Sequence, residues 1–403
     1  MGDTVVSSVW ARSGAMWVTG RAGGPPLACD GAPAEQVTDD LRRLAAIGTL
    51  APGVASERLP DVRLLGERAA MMGLVRQGPS SAGGACRLLP ADDGWVAVSL
   101  PRPTDLETLP ALIEGVVEEP WADLARWVAS APAHAVVARA TLLGVAAAAV
   151  PAAPQAPRRP SVVRTVGGSR ARGRRPRVLD LSSLWAGPLC AHLLGLMGAD
   201  VLKVESSDRP DGARDGEPRF YDVLHAGHRA VALGLSTASG RDGLRRLIDR
   251  ADVVIEASRP RALRQLGVDA ERAVEAGVVW ASVTAYGRGA DDELRTGFGD
   301  DVAAGAGLVA RDRGGPVPAG DALADPVTGV RAALAVAEAL GRPAGCLLDI
   351  SMHDTAREAA NRPPELQTRM GVLDVLRPVA RTPTGRAPAL GEHTAQVLER
   401  GWW

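Results

Sequence analysis

The chain has 403 residues, of which 46% are hydrophobic, and this length is sufficient for more than one hydrophobic core. A net charge of −1 gives no overall field that would attract nucleic acid or an anionic membrane. Four widely separated cysteines show no metal-binding spacing, and the first residues lack the pattern of a secretion signal. We therefore expect a cytoplasmic protein whose partners are small molecules or other subunits, with no nucleic acid and no membrane.

The first part of the chain, residues 1–152, is predicted to form a smaller α+β region. Residues 67–77 and 124–146 have helical apolar spacing. Between them, residues 83–101 have the pattern of a β-hairpin that turns at Asp93-Gly94. Residues 153–177 are rich in proline, arginine and glycine, which is typical of an exposed linker.

Residues 178–403 are predicted to form a Rossmann-like domain. The segment RVLDLS (177–182) has the pattern of a buried strand, 188–198 of a helix and ADVLKVE (199–205) of a second strand. Helical and apolar segments continue to alternate up to CLLDISM (346–352). This order predicts an α/β fold with a doubly wound parallel sheet.

Familiar catalytic motifs are absent from the sequence. It contains no GxSxG, HExxH, GxxxxGK[ST] or strand-linked GxGxxG pattern, and its six histidines have no metal-ligand spacing. The remaining candidate is Asp325, which precedes Pro326 at a predicted helix N-terminus. Asp325 is either a simple helix cap or a carboxylate nucleophile, and the two interpretations are compatible because helix N–H groups keep a carboxylate ionised.

Six segments resemble the family III (CaiB/BaiF-type) coenzyme A transferases in order and spacing. They are VLDLSSLWAGPLCAHLLGLMGADVLKVE (178–205), HRAVALGL (228–235), DVVIEASRPRALRQLGV (252–268), WASVTAYG (280–287), GDALADPVTGV (320–330) and LLDISMHDT (347–355). Segments that the family carries after this region are similar to residues 83–100 and 124–152 here, so the order along the chain is predicted to be rearranged.

The resemblance implies that Asp325 is the catalytic aspartate of a CoA transferase. In such an enzyme the carboxylate receives the acyl group of an acyl-CoA, becomes an aspartyl-CoA thioester and passes CoA to a carboxylic acid. The resemblance further implies an interlocked homodimer, or assembly with a homologous subunit, and no tightly bound cofactor, since CoA is a substrate. The residues implied to contact CoA are Ser183, Leu184, Trp185, Ala186, Leu233, Arg229, Met352, Gly83 and Gly84.

Two alternatives follow from departures from the family pattern. Ser183, Ser236 and Gln265 are neutral where the family commonly has cationic or hydrogen-bonding side chains, which favours a catalytically silent acyl-CoA-binding paralogue. An α-methylacyl-CoA racemase is the second alternative. Phe298 aligns with the racemase histidine, and phenylalanine does not transfer protons.

Overall fold

The computed structural model describes residues 5–51, 59–153, 155–157, 159–169, 175–258, 260–289, 294–364, 367–369 and 374–402. Strands and helices alternate along most of this length. The strands are β1 Val5–Ser7, β2 Cys86–Ala91, β3 Gly94–Ser99, β4 Ala146–Val150, β5 Val162–Ser169, β6 Arg177–Asp180, β7 Asp200–Ser206, β8 Arg229–Leu233, β9 Val253–Glu256, β10 Val279–Thr284, β11 Val309–Asp312, β12 Gly315–Pro318, β13 Ala344–Ser351 and β14 Gln367–Arg369.

The helices range from one turn to nearly five turns. They are α1 Ser8–Arg12, α2 Pro33–Ile47, α3 Glu67–Met72, α4 Pro103–Ile113, α5 Pro120–Ala129, α6 Ala133–Leu143, α7 Ala186–Leu196, α8 Pro218–His225, α9 Ala238–Arg250, α10 Pro260–Gln265, α11 Ala270–Glu275, α12 Gly299–Ala306, α13 Ala324–Leu340, α14 Met352–Asn361 and α15 Thr394–Arg400. None of the helices in the described ranges is long and apolar enough to cross a membrane.

A seven-stranded sheet forms the centre of the protein, in the order β5-β13-β10-β9-β6-β7-β8. All neighbouring strands from β13 to β8 are parallel, and β5 is antiparallel at one edge. The chain runs from β6 outward through β7 to β8, then returns to β9 on the other side of β6. This is the doubly wound order, and the reversal point between β6 and β9 opens a crevice at the carboxyl ends of the strands. The predicted fold class is confirmed.

Helices cover both faces of this sheet. On one face α7 and α13 pack together and bury Leu189, Leu194 and Val330 in the largest core, while α9 and α11 bury Leu244, Leu247 and Val274 on the other. Small residues allow the close approach of α7 and α13, because a side chain at Gly329 would collide with the carbonyl oxygen of Ala186 at 2.8 Å. This contact fixes the start of α7 beside the start of α13.

A smaller antiparallel sheet, β2-β3-β4, lies against the first one through α12. Helices α4, α5 and α6 cover its outer face around Leu109 and Leu124, and the predicted hairpin is present as β2 and β3. Ala91 pairs with Gly94, so the turn residues are Asp92 and Asp93, one position earlier than predicted. The inner face meets α12, where Ala148 and Gly305 are in contact.

Two features of the structure concern the predicted division of the chain at residues 152 and 177. Residues of the N-terminal segment, including Trp10 and Leu44, pack in the core of the large sheet. Within the predicted linker 153–177, Val162–Ser169 forms β5. Because β5 is a half-exposed edge strand, its residues do not show the apolar pattern of a buried strand. Glycine is required at 167 and 168 because a side chain there would collide with Val274 or Glu275.

Candidate active site

Asp325 lies in the first turn of α13, one residue inside the helix, with Leu323 at the N-cap. The predicted capping role is therefore wrong. Instead, the carboxylate lies beside the start of another helix, α7, and the backbone N–H of Ala186 in its first turn lowers the pKa of the carboxyl group. A helix N-terminus favours a negative charge, so α7 supplies the stabilisation that was expected from α13.

Asp325 is half-buried and lies in a group of carboxylates, half-buried Asp300 and fully buried Asp321, with one nearby arginine. Asp321 accepts two hydrogen bonds from Arg68, from Nε to Oδ2 at 2.8 Å and from Nη2 to Oδ1 at 2.5 Å. Asp300 accepts a hydrogen bond from the backbone N–H of Ala322 at 2.8 Å. The guanidinium of Arg68 also lies 5.4 Å from the ring centre of Trp185 and thereby links α3 to the start of α7.

The electrostatics of this group keep part of the Asp325 population protonated near neutral pH. Burial raises the pKa of Asp325 to about 7, with Asp300 and Asp321 adding to the increase, while Arg68 and the Ala186 N–H oppose it. Burial and Asp321 likewise raise the pKa of Asp300 to about 6. Asp325 thus titrates in the range typical of catalytic carboxylates, whereas the sequence predicted a constantly ionised group.

A glycine makes room for this carboxylate. A methyl group at Gly299 would place its carbon 2.1 Å from Oδ2 of Asp325 and 2.4 Å from the carbonyl oxygen of Ala322. Gly299 is the first residue of α12, directly after Phe298, the residue aligned with the racemase histidine. The Phe298 N–H donates to Asp301 Oδ1 at 2.9 Å, so its backbone serves as the helix cap.

Several predicted CoA-contacting residues lie around Asp325. Ser183, Leu184, Trp185 and Ala186 form the connection from β6 to α7, with Ser183 and Leu184 exposed and Trp185 buried. Gly83 lies beside Arg68 and Asp321, because a side chain there would be 3.4 Å from Arg68 Nη2 and 3.8 Å from Asp321 Oδ1. Gly84 follows it with a φ of +80°, a value that favours glycine.

The remaining predicted residues are more distant from the carboxylate. Leu233 ends β8 and Met352 follows β13, so both lie at the carboxyl edge of the sheet. Arg229 begins β8 at the opposite edge and pairs with Asp200 at 2.6 Å. The prediction that Arg229 contacts CoA together with the Asp325 group does not fit this placement.

Sequence reasoning missed Arg68, Asp300, Asp321 and Gly299. One signal was available: Asp321 precedes Asp325 by four residues, a spacing that brings two side chains together at a helix start. Arg68 and Asp300 carry no such signal, since only the fold brings them there. Among the described residues, no group of three or more His, Cys, Asp or Glu side chains is arranged to hold a metal ion.

Comparisons with known proteins address the same part of the chain. Residues 175–362 match the family model described as CoA-transferase family III. The succinate–glutarate CoA-transferase of Agrobacterium fabrum is 32% identical over 182 residues, which are 41% of this chain and 46% of that protein. A probable fatty acyl-CoA transferase of Mycobacterium tuberculosis is 35% identical over 155 residues, 36% of this chain and 38% of that protein.

A solved structure of a CaiB/BaiF family protein from Brucella suis is 27% identical, with a TM-score of 0.43, and the match covers 46% of this chain and 54% of that one. The chain spans less than half the length of the two relatives described above. The matched segment nevertheless contains β6 to α14, and therefore both Asp325 and Ala186. The resemblance found in the sequence is confirmed for residues 175–362, which match the CoA-transferase family III model.

Proposed function

We propose that the protein transfers CoA from an acyl-CoA donor to a carboxylic acid acceptor, with Asp325 as the covalent nucleophile. The observation that carries this proposal is the placement of Asp325 in the first turn of α13, beside the start of α7 and at the carboxyl edge of a doubly wound sheet. This edge is where such sheets bind nucleotide-containing ligands. The matched family supports the CoA part of the proposal.

The first half of the reaction moves CoA onto the enzyme. An Asp325 oxygen attacks the thioester carbonyl, the C–S bond breaks, and an aspartyl acyl anhydride and CoA thiolate result. The thiolate then attacks the aspartyl carbonyl, forms the aspartyl-CoA thioester and releases the donor acid. Negative charge develops on the aspartyl carbonyl oxygen during this attack, and the Ala186 N–H is placed to stabilise it.

The second half reverses these bonds with a different acid. The acceptor carboxylate attacks the aspartyl-CoA carbonyl and displaces the thiolate, which then attacks the acceptor carbonyl of the new anhydride. Acceptor-CoA leaves, and Asp325 is regenerated with one oxygen that came from the acceptor. Attack by a carboxylate replaces an acyl–sulfur bond with an acyl–oxygen bond, and attack by the thiolate does the reverse. The bonds are of similar energy, so the reaction needs only positioning and charge stabilisation.

Gly83 and Gly84 are proposed to form a loop that closes over the aspartyl intermediate. Gly83 is exposed and lies beside the Arg68–Asp321 pair. Gly84 has a positive φ that few residues other than glycine adopt. A closed loop would keep water away from the anhydride, which water would otherwise hydrolyse. This loop lies outside the segment that matches the family model.

Intact-protein mass spectrometry after incubation with a panel of acyl-CoAs tests the proposal. We expect a CoA-sized adduct that hydroxylamine removes and that Asp325→Asn does not form. Asp252→Asn is the matched control, since Asp252 is a fully buried carboxylate at the amino edge of the same sheet. An unlabelled but folded wild type would contradict the proposal and favour the silent CoA-binding paralogue.

We also propose that the protein acts as a homodimer, as the family resemblance implies. Sedimentation velocity over a range of protein concentrations measures its mass in solution. A species of twice 41.8 kDa supports the proposal. A single species of one chain mass that still forms the CoA adduct would contradict it and would show that one chain completes the site.

A further inference from the structure

Lys203 is the only lysine in the chain, a feature that composition alone attributes to a preference for arginine. The structure places it in the middle of β7 with 1% of its surface exposed. Lysine is rarely buried to this extent unless it is paired. Its contacts therefore indicate a specific task.

The Lys203 ammonium group contacts three acceptors that lie near the end of β6. It donates hydrogen bonds to the backbone oxygen of Ser182 at 2.5 Å and to Asp211 Oδ2 at 3.0 Å, and Asp180 Oδ2 lies at 3.5 Å. Burial lowers the pKa of Lys203, but the two carboxylates outweigh burial and raise it, so the group stays charged. A compact ammonium with three donors suits this arrangement.

Asp211 extends the network to the connection between β6 and α7. Its second oxygen, Oδ1, accepts hydrogen bonds from the backbone N–H groups of Leu184 and Ala213, both at 3.0 Å. Leu184 has a φ of +71°, a conformation that residues with a side chain rarely adopt. Such a backbone persists only where its surroundings hold it. Here Asp211 accepts from the Leu184 N–H, and Lys203 binds both Asp211 and the Ser182 carbonyl oxygen two residues earlier.

The constrained residue is close to the proposed catalytic group. Leu184 precedes Ala186 by two residues, and the start of α7 packs against α13, where a side chain at Gly329 would lie 2.8 Å from the Ala186 carbonyl oxygen. The Ala186 N–H lowers the pKa of Asp325 in the first turn of α13. Ser182, at the other end of the connection, is tied through its N–H to Asp180 Oδ1 at 2.9 Å and through its carbonyl oxygen to Lys203. The direction of the Ala186 N–H thus depends on both ends of one short segment.

We propose that Lys203 is a positioning residue that holds the Ser182–Ala186 segment so that the Ala186 N–H points at the Asp325 carboxylate. Lys203 acts through Asp211 and Ser182 and does not itself contact a substrate. This inference rests on the proposed function, because it assigns a role to the backbone beside the proposed nucleophile. Lys203 would thus affect the geometry of the site from the interior of the sheet, through hydrogen bonds.

Hydrogen exchange tests the structural part without requiring turnover. Lys203→Met removes the charge and keeps a similar volume. We expect peptides covering residues 181–187 to exchange faster in this variant, because the Leu184 N–H loses a fixed acceptor. Arg177→Met is the matched control: it removes a cation that pairs with buried Asp252 at 3.1 Å, at the amino end of β6. The control should leave exchange at 181–187 unchanged.

Adduct formation with acyl-CoA tests the catalytic part. We expect Lys203→Met to slow labelling of Asp325 on the order of 10- to 100-fold, the loss that small misplacements cause. The pH midpoint of labelling should also rise, since the Ala186 N–H lowers the pKa of Asp325. A general loss of stability does not move this midpoint, and Arg177→Met should keep the wild-type value.

Three outcomes separate the possibilities. Faster exchange at 181–187 with slower labelling and a raised midpoint supports the proposal. Wild-type labelling and midpoint in folded Lys203→Met overturn it, whatever the exchange shows. If the wild type itself never labels, the proposed function fails and this role fails with it, although the exchange data still report whether Lys203 anchors the segment. Should Lys203→Met not fold, Lys203→Arg keeps the charge and is expected to show the same changes at smaller size.

Discussion

Asp325 attacks a thioester only when its carboxylate is ionised, and its surroundings shift that ionisation to higher pH. Because burial raises its pKa to about 7, the ionised fraction increases as the pH rises from about 6 to about 8. We therefore expect the rate of adduct formation to rise across this range and then level off. Stopped reactions analysed by mass spectrometry at several pH values measure it.

Replacing Arg68 tests whether nearby charges set the pKa of Asp325. Its positive charge lowers the pKa of Asp325, so Arg68→Gln should move the midpoint of the pH profile upward. Arg63→Gln is the control, since Arg63 pairs with exposed Asp61 and is not among the charges that act on Asp325. A midpoint unchanged in folded Arg68→Gln would show that Arg68 does not tune the nucleophile.

Gly299 tests whether the carboxylate must occupy its observed place. Gly299→Ala puts a methyl carbon 2.1 Å from Asp325 Oδ2, so either the carboxylate or the start of α12 has to move. We expect labelling to fall on the order of 100-fold, as for other misplacements near reacting atoms. Gly94→Ala, where nothing lies within 4 Å, is the control for labelling. Normal labelling in Gly299→Ala would contradict the observed geometry.

At the scale of elements, α12 connects the smaller sheet to the candidate site. Its first residue touches Asp325, and Gly305 near its end lies against Ala148 of β4, where a methyl group would approach the Ala148 Cβ to 2.5 Å. Overpacking of this kind costs about 1–3 kcal/mol, which exceeds the helix-propensity gain of about 1 kcal/mol from replacing glycine. Gly305→Ala should therefore lower the unfolding free energy by about 1–2 kcal/mol.

Denaturant unfolding of Gly305→Ala beside Gly94→Ala checks this expectation. Gly94 begins β3 in the same small unit and has free space around it. If both variants unfold at the wild-type denaturant concentration, α12 and β4 do not pack as closely as described.

The elements that were predictable are those whose residues carry a local pattern. The strands β6 and β7 and the helices α7 and α13 fall within two residues of their predicted ends, because buried parallel strands and long helices give strong apolar periodicity. The edge strand β5 was missed, since its exposed alternation and two glycines look like a linker. The predicted helix over 67–77 ends at Met72, where Gly73 adopts a φ of +64°.

The candidate site was predictable only in part for a similar reason. Asp325 was found through its place in a family pattern, and Trp185 and Ala186 through the same resemblance. Arg68 precedes Asp325 by more than 250 residues, and the contact of Gly299 with the carboxylate depends on how α12 meets α13. The role of Lys203 was not predictable, because the sequence does not show which acceptors surround a buried ammonium.

Across the whole molecule, the C-terminal segment ties distant parts together. The N–H of Leu376 donates to the carbonyl oxygen of Ala11 at 3.0 Å, and the N–H of His393 donates to that of Ala230 at 2.9 Å. Between these contacts, Arg381 pairs with buried Glu67 on α3, with Nη2 of Arg381 at 2.9 Å from Oε2. Since α3 also carries Arg68, this segment supports the candidate site.

Arg381→Met should therefore destabilise the whole fold. It leaves the buried Glu67 carboxylate without its cation, a change that typically costs about 3–5 kcal/mol, reduced here because Arg381 is partly exposed. We expect a loss of about 2–3 kcal/mol in denaturant unfolding. Arg42→Met, which removes an exposed pair with Asp39, should cost less than about 1 kcal/mol. Equal losses in the two variants would mean that the C-terminal segment contributes little.

The fate of one oxygen atom tests the covalent role of Asp325 most directly. In the proposed reaction, the acceptor acid leaves one of its carboxylate oxygens on the nucleophile. After turnover with an acceptor labelled with oxygen-18 in its carboxylate, tryptic digestion yields the peptide 314–331, which contains Asp321 and Asp325. Fragment masses should place the heavy oxygen on Asp325 and not on Asp321. Formation of acceptor-CoA without heavy oxygen on Asp325 would contradict the account.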